Sequence, residues 1–127
     1  MQRFSVLAVV CSFVAVAFLS GCGEADSGLA IQGQYVDNWG SSHEITESTW
    51  TTGESVYQIS QFDNETQMVI AQNASANEYN PDLWSRFDWT ETADGLWYCQ
   101  TTYDAESEEA AMNIAAADAT EPANGGC

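Results

Sequence analysis

Residues 83–103 constrain the fold of this chain more tightly than any other stretch. Leu83–Thr92 and Leu96–Tyr103 are rich in aromatic residues and threonine, which suit a pleated, half-buried surface. Ala93-Asp94-Gly95 stands between them, and an Asp-Gly pair supplies the positive φ angles of a two-residue hairpin turn. Pairing Ala93 with Leu96 sets Trp89 opposite Gln100 and Phe87 opposite Thr102. One face then carries Leu83, Phe87, Trp89, Leu96 and Tyr98 and reads as core. The other carries Trp84, Arg86, Asp88, Trp97, Cys99 and Tyr103 and is mixed in character.

The stretch before this hairpin is written in the same way. Gln34–Val36, His43–Thr51, Glu54–Phe62 and Thr66–Gln72 read as short strands, with turns at Asp37-Asn38-Trp39-Gly40, Thr52-Gly53 and Asp63-Asn64. Asn73–Pro81 is the longest loop. After the hairpin comes the one helix candidate, over 105–119. Asp104 can cap it, Glu106, Glu108 and Glu109 suit its positive end, and Ala110–Ala119 contains neither Gly nor Pro. Ala111, Met112, Ile114 and Ala115 give it a narrow apolar stripe, and Pro122 stops it. The expected fold is mainly β. About six antiparallel strands in meander order curl into a small barrel or sandwich, with one C-terminal α-helix.

The N-terminus has another design. Met1-Gln2-Arg3 precedes an apolar run, Phe4–Leu19, that is shorter than the roughly 20 residues a bilayer-crossing helix needs. The run ends in Leu19-Ser20-Gly21-Cys22, which resembles the lipobox of bacterial lipoproteins. An uncleaved anchor or an ordinary secretory signal fits these four residues less well. The resemblance implies a signal peptide over 1–21, removed before Cys22, and diacylglycerol with palmitate on that cysteine. It implies a lipidated tether over 22–32 and a single β-rich domain over 33–127, similar to small envelope lipoproteins. The membrane, reached through the N-terminal lipid, is then the first partner, and several acyl chains hold stably where one does not. Gly23 rather than Asp after the cysteine implies the outer membrane of the envelope in a Gram-negative cell.

Processing of this kind leaves 106 of the 127 residues, enough for one small domain. They include all 19 carboxylates and a single strong cation, Arg86, for a formal side-chain charge of −18. Such a surface repels nucleic acid, so no nucleic-acid partner is expected. Cys11 would leave with the signal and Cys22 would carry lipid. Cys99 and Cys127 are then the intramolecular pair expected in an oxidising compartment. Their bridge closes about 29 residues, worth roughly 3.5 kcal/mol in the chain-entropy picture. The C-terminal segment must cross the mixed face of the hairpin to make it. Because the chain ends on Cys127 itself, a slightly longer parent protein is also allowed.

Chemistry-bearing constellations are sparse. His43 could pair with Ser41 or Ser42 and with Glu44, but adjacent strand residues point to opposite faces, and it reads as a surface or strand-end histidine. Arg86 reads as the partner of Asp88, flanked by Trp84 and Tyr103. The alternative makes Arg86, Trp84, Trp97 and Tyr103 contacts for an anion or sugar hydroxyls. Asp63/Glu65, Asp82/Asp88, Asp94 and Glu106/Glu108/Glu109 match no calcium loop, and one histidine makes no zinc set. No metal, cofactor or catalytic group is expected. Trp39, Trp50, Trp84, Trp89 and Trp97 mostly serve a thin core, and any surplus on one face would stack on carbohydrate. The chain is therefore expected to be a lipid-anchored, non-catalytic binding or interaction domain, not an enzyme. Its partner would be an envelope protein or glycan, met through the mixed face or the long loop. A carbohydrate-binding module is the alternative, and weak calcium binding or hydrolysis a more distant one.

Overall fold

The computed structural model of the chain describes residues 1–6 and 28–127; Cys11, the lipobox and Cys22 lie outside them. Eight strands form a closed antiparallel barrel. In chain order they are β1 (Gln2–Val6), β2 (Gly33–Asp37), β3 (Ser42–Ile45), β4 (Thr49–Thr52), β5 (Ser55–Asp63), β6 (Met68–Asn73), β7 (Trp84–Thr92) and β8 (Gly95–Ala105). Each pairs with the next, and β1 closes the ring against β8. Among the described residues a single short helix, α1 (Glu108–Met112), packs outside on β6, β7 and β8. Mainly β, antiparallel and meandering, this is the expected class with two more strands than expected.

Both extra strands have local causes. The run His43–Thr51 is not continuous: the Thr46 hydroxyl accepts the Thr49 amide at 2.9 Å, which folds residues 46–49 into a turn and divides the run into β3 and β4. The other extra strand, β1, comes from the residues read as the start of a signal. The domain also begins earlier than residue 33. Asn64 accepts the Ala30 amide and donates to the Gly28 carbonyl, both at 2.9 Å, which carries Leu29 and Ile31 into the core.

The interior is filled by period-two alternation along each strand. Phe4, Leu29, Ile31, Ile45, Trp50, Val69, Ala71, Phe87, Trp89 and Tyr98 form one buried cluster. Phe87 stacks on Trp50 at 4.3 Å, and Phe4 lies between Tyr35 (4.6 Å) and Tyr98 (4.5 Å). The Trp89 indole N–H is buried with no hydrogen-bond partner among the described residues. The hairpin register differs from expectation, since Thr92 pairs with Gly95 and Trp89 with Tyr98. Thr92 Oγ1 accepts the Asp94 amide at 3.3 Å, so Ala93-Asp94 makes the turn and Gly95, at φ +133°, opens β8. The slip is two residues, which keeps the side chains from Phe87 to Cys99 on their expected faces; the register shifts again where Arg86 pairs with Thr102, and Tyr103 leaves the outer face for the rim.

On the outer face, β7 and β8 are covered by the C-terminal segment. Arg86 Nε lies 3.1 Å from each Asp88 carboxylate oxygen, and Nη2 lies 2.9 Å from Oδ1. Its remaining nitrogen, Nη1, donates to the Met112 and Ile114 carbonyls at 2.9 and 2.7 Å. Those contacts end the helix well short of residue 119, and Ser107 rather than Asp104 caps it, because β8 runs on to Ala105. Asp88 also accepts the Ala117 amide at 3.2 Å and the hydroxyl of Thr101, which a bulge turns towards it. Farther along, Cys127 bonds to Cys99, with Cα atoms 5.5 Å apart.

Arg86 is 6% exposed, so its loss strands Asp88 and two carbonyls under the segment. Arg86→Ala is expected to lower the unfolding free energy by about 3–5 kcal/mol. Arg86→Lys should recover only part of this, because an ammonium cannot replace a planar fork that bonds on three sides. Urea midpoints of the two variants check it, and an alanine midpoint equal to that of the parent would remove Arg86 from its structural role.

Candidate functional site

Two polar regions stand out, one inside the barrel and one on its rim. The interior region begins with Asp37, the last residue of β2. One oxygen, Oδ1, accepts the Trp39 and Ser41 amides at 2.9 and 2.8 Å and so holds the β2–β3 turn. The other, Oδ2, lies 3.2 Å from His43 Nε2 and accepts the Tyr98 hydroxyl at 3.2 Å. On the far side of the imidazole, Trp50 Nε1 lies 3.1 Å from His43 Nδ1.

The chemistry of these groups assigns the proton. An indole N–H can only donate, so Nδ1 must be the bare nitrogen and Nε2 carries the hydrogen given to Asp37. His43 is therefore held neutral in one tautomer. Burial pushes its pKa below the ordinary histidine value, and the hydrogen bond and charge of Asp37 reverse this only in part. Asp37 feels burial too, but the Ser41 amide, His43 and the Trp39 amide outweigh it and hold the carboxyl below its usual range. Burial, and after it the Asp37 charge, raise the Tyr98 phenol far above normal.

His43 is thus 4% exposed in the barrel wall, and the expected surface or strand-end position is corrected. Its partner is Asp37 from the neighbouring strand, not Glu44. Ser41, Ser42 and Glu44 are exposed, while the imidazole turns inward, so the hydrolytic arrangement does not assemble. With its only lone pair accepting from Trp50, the imidazole is unable to act as a base without breaking the network. Among the described residues no group of three His, Cys, Asp or Glu side chains is placed to hold a metal ion.

The rim region lies at the barrel end where β6 turns into β7. Residues 74–83 are held there as a shaped loop. Asn77 copies a strand neighbour, accepting the Val56 amide and donating to the Val56 carbonyl, both at 2.9 Å. Asn73 Nδ2 donates to the Asn80 and Tyr103 carbonyls at 2.7 and 2.8 Å, and its Oδ1 accepts the Ser85 hydroxyl at 2.6 Å. The loop carries Tyr79 beside Tyr57 and Tyr103, over a groove of about 290 Å³ that Ser55, Asn80 and Gln100 also line. Tyr79 is 72% exposed and Tyr103 55%. Trp39, in the β2–β3 turn at this same end, is 76% exposed.

The four residues expected as ligand contacts do not converge. Arg86 is sealed under the C-terminal segment. Trp97 is half-buried with its indole donating to Thr92 at 3.1 Å, near the opposite end of β8 from Tyr103. Six residues of strand separate them, about 20 Å. Trp84 is half-buried, and only Tyr103 reaches the groove. The sequence does not single out Tyr57 and Tyr79, although the Asn73–Pro81 loop that carries Tyr79 stands out by its length. No family model, curated protein or solved structure matches the chain.

The interior network makes stability depend on pH. The folded chain holds His43 below the value near 6.5 that it has when unfolded, so folding releases protons in that window. The contribution of His43 is fully present above about pH 6.5 and falls as the pH drops below it; the depressed Asp37 adds a second loss below its ordinary 3.8. The chain has one histidine, which makes the first phase assignable. His43→Gln offers Trp50 an acceptor and Asp37 a donor without titrating. Urea midpoints at pH 5, 6 and 7 are expected to rise with pH in the parent and to flatten in this variant.

Proposed function

We propose that this protein is a lipid-anchored, non-catalytic binding domain of the bacterial cell envelope whose rim aromatics receive a carbohydrate. The anchoring half of the reading rests on Leu19-Ser20-Gly21-Cys22 and on the short apolar run before it. The binding half rests on one observation. Trp39, Tyr79 and Tyr103, all exposed, share the barrel end opposite to the one where the chain enters from residue 28. The six residues from Cys22 to Ser27, even fully extended, span at most about 20 Å between the lipidated cysteine and Gly28 at the barrel. A barrel tethered so closely turns its Asn64 end to the membrane and its aromatic rim outward.

Sugar rings suit such a rim. Their C–H faces stack on flat aromatic side chains, and being neutral they escape the repulsion that 19 carboxylates impose on an anion. Acid–base catalysis is disfavoured because the imidazole is buried, neutral and committed at both nitrogens.

Two measurements test the halves separately. Cys22→Ala removes the sulfur that would carry lipid, and the variant is expected in the soluble fraction; retention in membranes would defeat the anchoring half. For binding, soluble glucan and N-acetylglucosamine oligosaccharides are titrated against tryptophan fluorescence, which Trp39 should report. Tyr79→Ala should weaken the response at least about tenfold, the scale of one lost aromatic contact, with an unchanged melting temperature. A panel that leaves the fluorescence unmoved would count against a carbohydrate ligand.

A further inference from the structure

The strand that closes the barrel is drawn from residues that the lipoprotein reading removes. β1 supplies the whole seam between β2 and β8, with Phe4 opposite Asp37 on one side and Leu96 on the other. Phe4 is 4% exposed, stacked between Tyr35 and Tyr98 with its ring centre 4.9 Å from that of His43. Cutting before Cys22 takes this strand away. It leaves two facing strand edges with unpaired N–H and C=O groups and, between them, an aromatic slot one ring wide.

We propose that the processed domain binds an extended segment of a partner protein in this slot, as an added strand that places an aromatic side chain between Tyr35 and Tyr98 and a basic residue just before it. The inference rests on the signal-peptide reading and concerns a different surface from the aromatic rim. Gln2–Val6 shows what the seam accepts: five residues in extended form, hydrogen-bonded to both edges. Arg3 gives the position before the aromatic. Its amide donates to Asn38 Oδ1 at 3.3 Å, and its side chain lies across Gly95, where a Cβ would approach Nε to 3.2 Å. A cation is favoured at that position because the processed domain carries a formal −18.

The partner is another protein, not a second copy. After processing, the chain holds one arginine and no lysine, and its one Arg–aromatic pair, Arg86-Phe87, is buried in β7. Main-chain bonds to the two edges supply affinity and the ring slot supplies selectivity, the usual division of labour in strand addition.

The test uses the full chain expressed in a bacterium with a lipoprotein-processing pathway and purified from its membranes in detergent. Mass spectrometry first reads the N-terminus. A synthetic peptide of residues 1–6, Met-Gln-Arg-Phe-Ser-Val, is then titrated and followed by tryptophan fluorescence and sedimentation. Protein cut before Cys22 is expected to bind one peptide per monomer. The same peptide with Phe4→Ala should bind at least roughly 30-fold more weakly, the scale set by burying one aromatic side chain. Cut protein that ignores the peptide, or binds both peptides alike, would overturn the slot while leaving the lipoprotein reading intact. So would a self-associated form that the peptide does not dissociate. An N-terminus still at Met1 would overturn both, since the seam would then be permanently filled by its own strand.

Discussion

Closure of an eight-stranded barrel leaves an interior that side chains must fill, and that constraint governs the rest of this structure. Large rings fill it. Trp50 is fully buried and touches Phe87 on one side and the Phe4–Tyr98 stack on the other. Rings of this size bring polar atoms with them, and a buried donor without a partner costs about 1–3 kcal/mol. His43 and Asp37 resolve that cost for two of them. His43 accepts from the Trp50 indole and, with Asp37, surrounds the Tyr98 hydroxyl, so three aromatic side chains are satisfied through one carboxylate. Trp89 has no such partner among the described residues and is the exception.

The reason this network was not legible in the sequence is topological. Asp37 sits in what reads as a turn and Tyr98 lies 61 residues away, so nothing in their spacing announces a shared atom. Neighbouring serines and Glu44 were the visible partners of His43, but strand alternation sends Ser42 and Glu44 to the other side, and Ser41 lies in the exposed turn. By contrast, the hairpin was readable because its faces depend only on parity. Moving the turn from Asp94-Gly95 to Ala93-Asp94 slides the register by two residues and leaves Phe87, Trp89 and Tyr98 in the core. The same parity argument put Arg86, Asp88 and Cys99 together on the outer face, where the C-terminal segment crosses to Cys127. What failed there was length. Helix propensity favoured 105–119, but two carbonyls drawn to one guanidinium cut the helix to five residues.

The groove at the rim was half-legible for a related reason. Loop length marked Asn73–Pro81 as a site of interest, yet its shape depends on side-chain amides standing in for backbone. Asn77 pairs with Val56 as a strand residue would, and Asn73 reaches both Asn80 and Tyr103. Asn80 and Asp82 adopt positive φ, at 50° and 63°, which tightens the loop. An ordered loop matters for binding, because a tyrosine already held in place loses little freedom when a ligand arrives.

Charge connects the rim to the seam. From Gly28 onward the two side chains able to carry positive charge are Arg86 and His43, and both are buried, one paired with a carboxylate and the other held neutral. Side chains on the outside then offer carboxylates with no cation among them. An anionic ligand meets repulsion wherever it approaches, whereas a neutral ring at Trp39, Tyr79 and Tyr103 meets none. The cationic strand proposed to enter between β2 and β8 would meet attraction that grows as salt is diluted. Arg86, unlike Arg3, lies under cover. On the surface an arginine would be worth little against so many carboxylates. Buried on Asp88 it fixes the segment that covers the barrel's outer face.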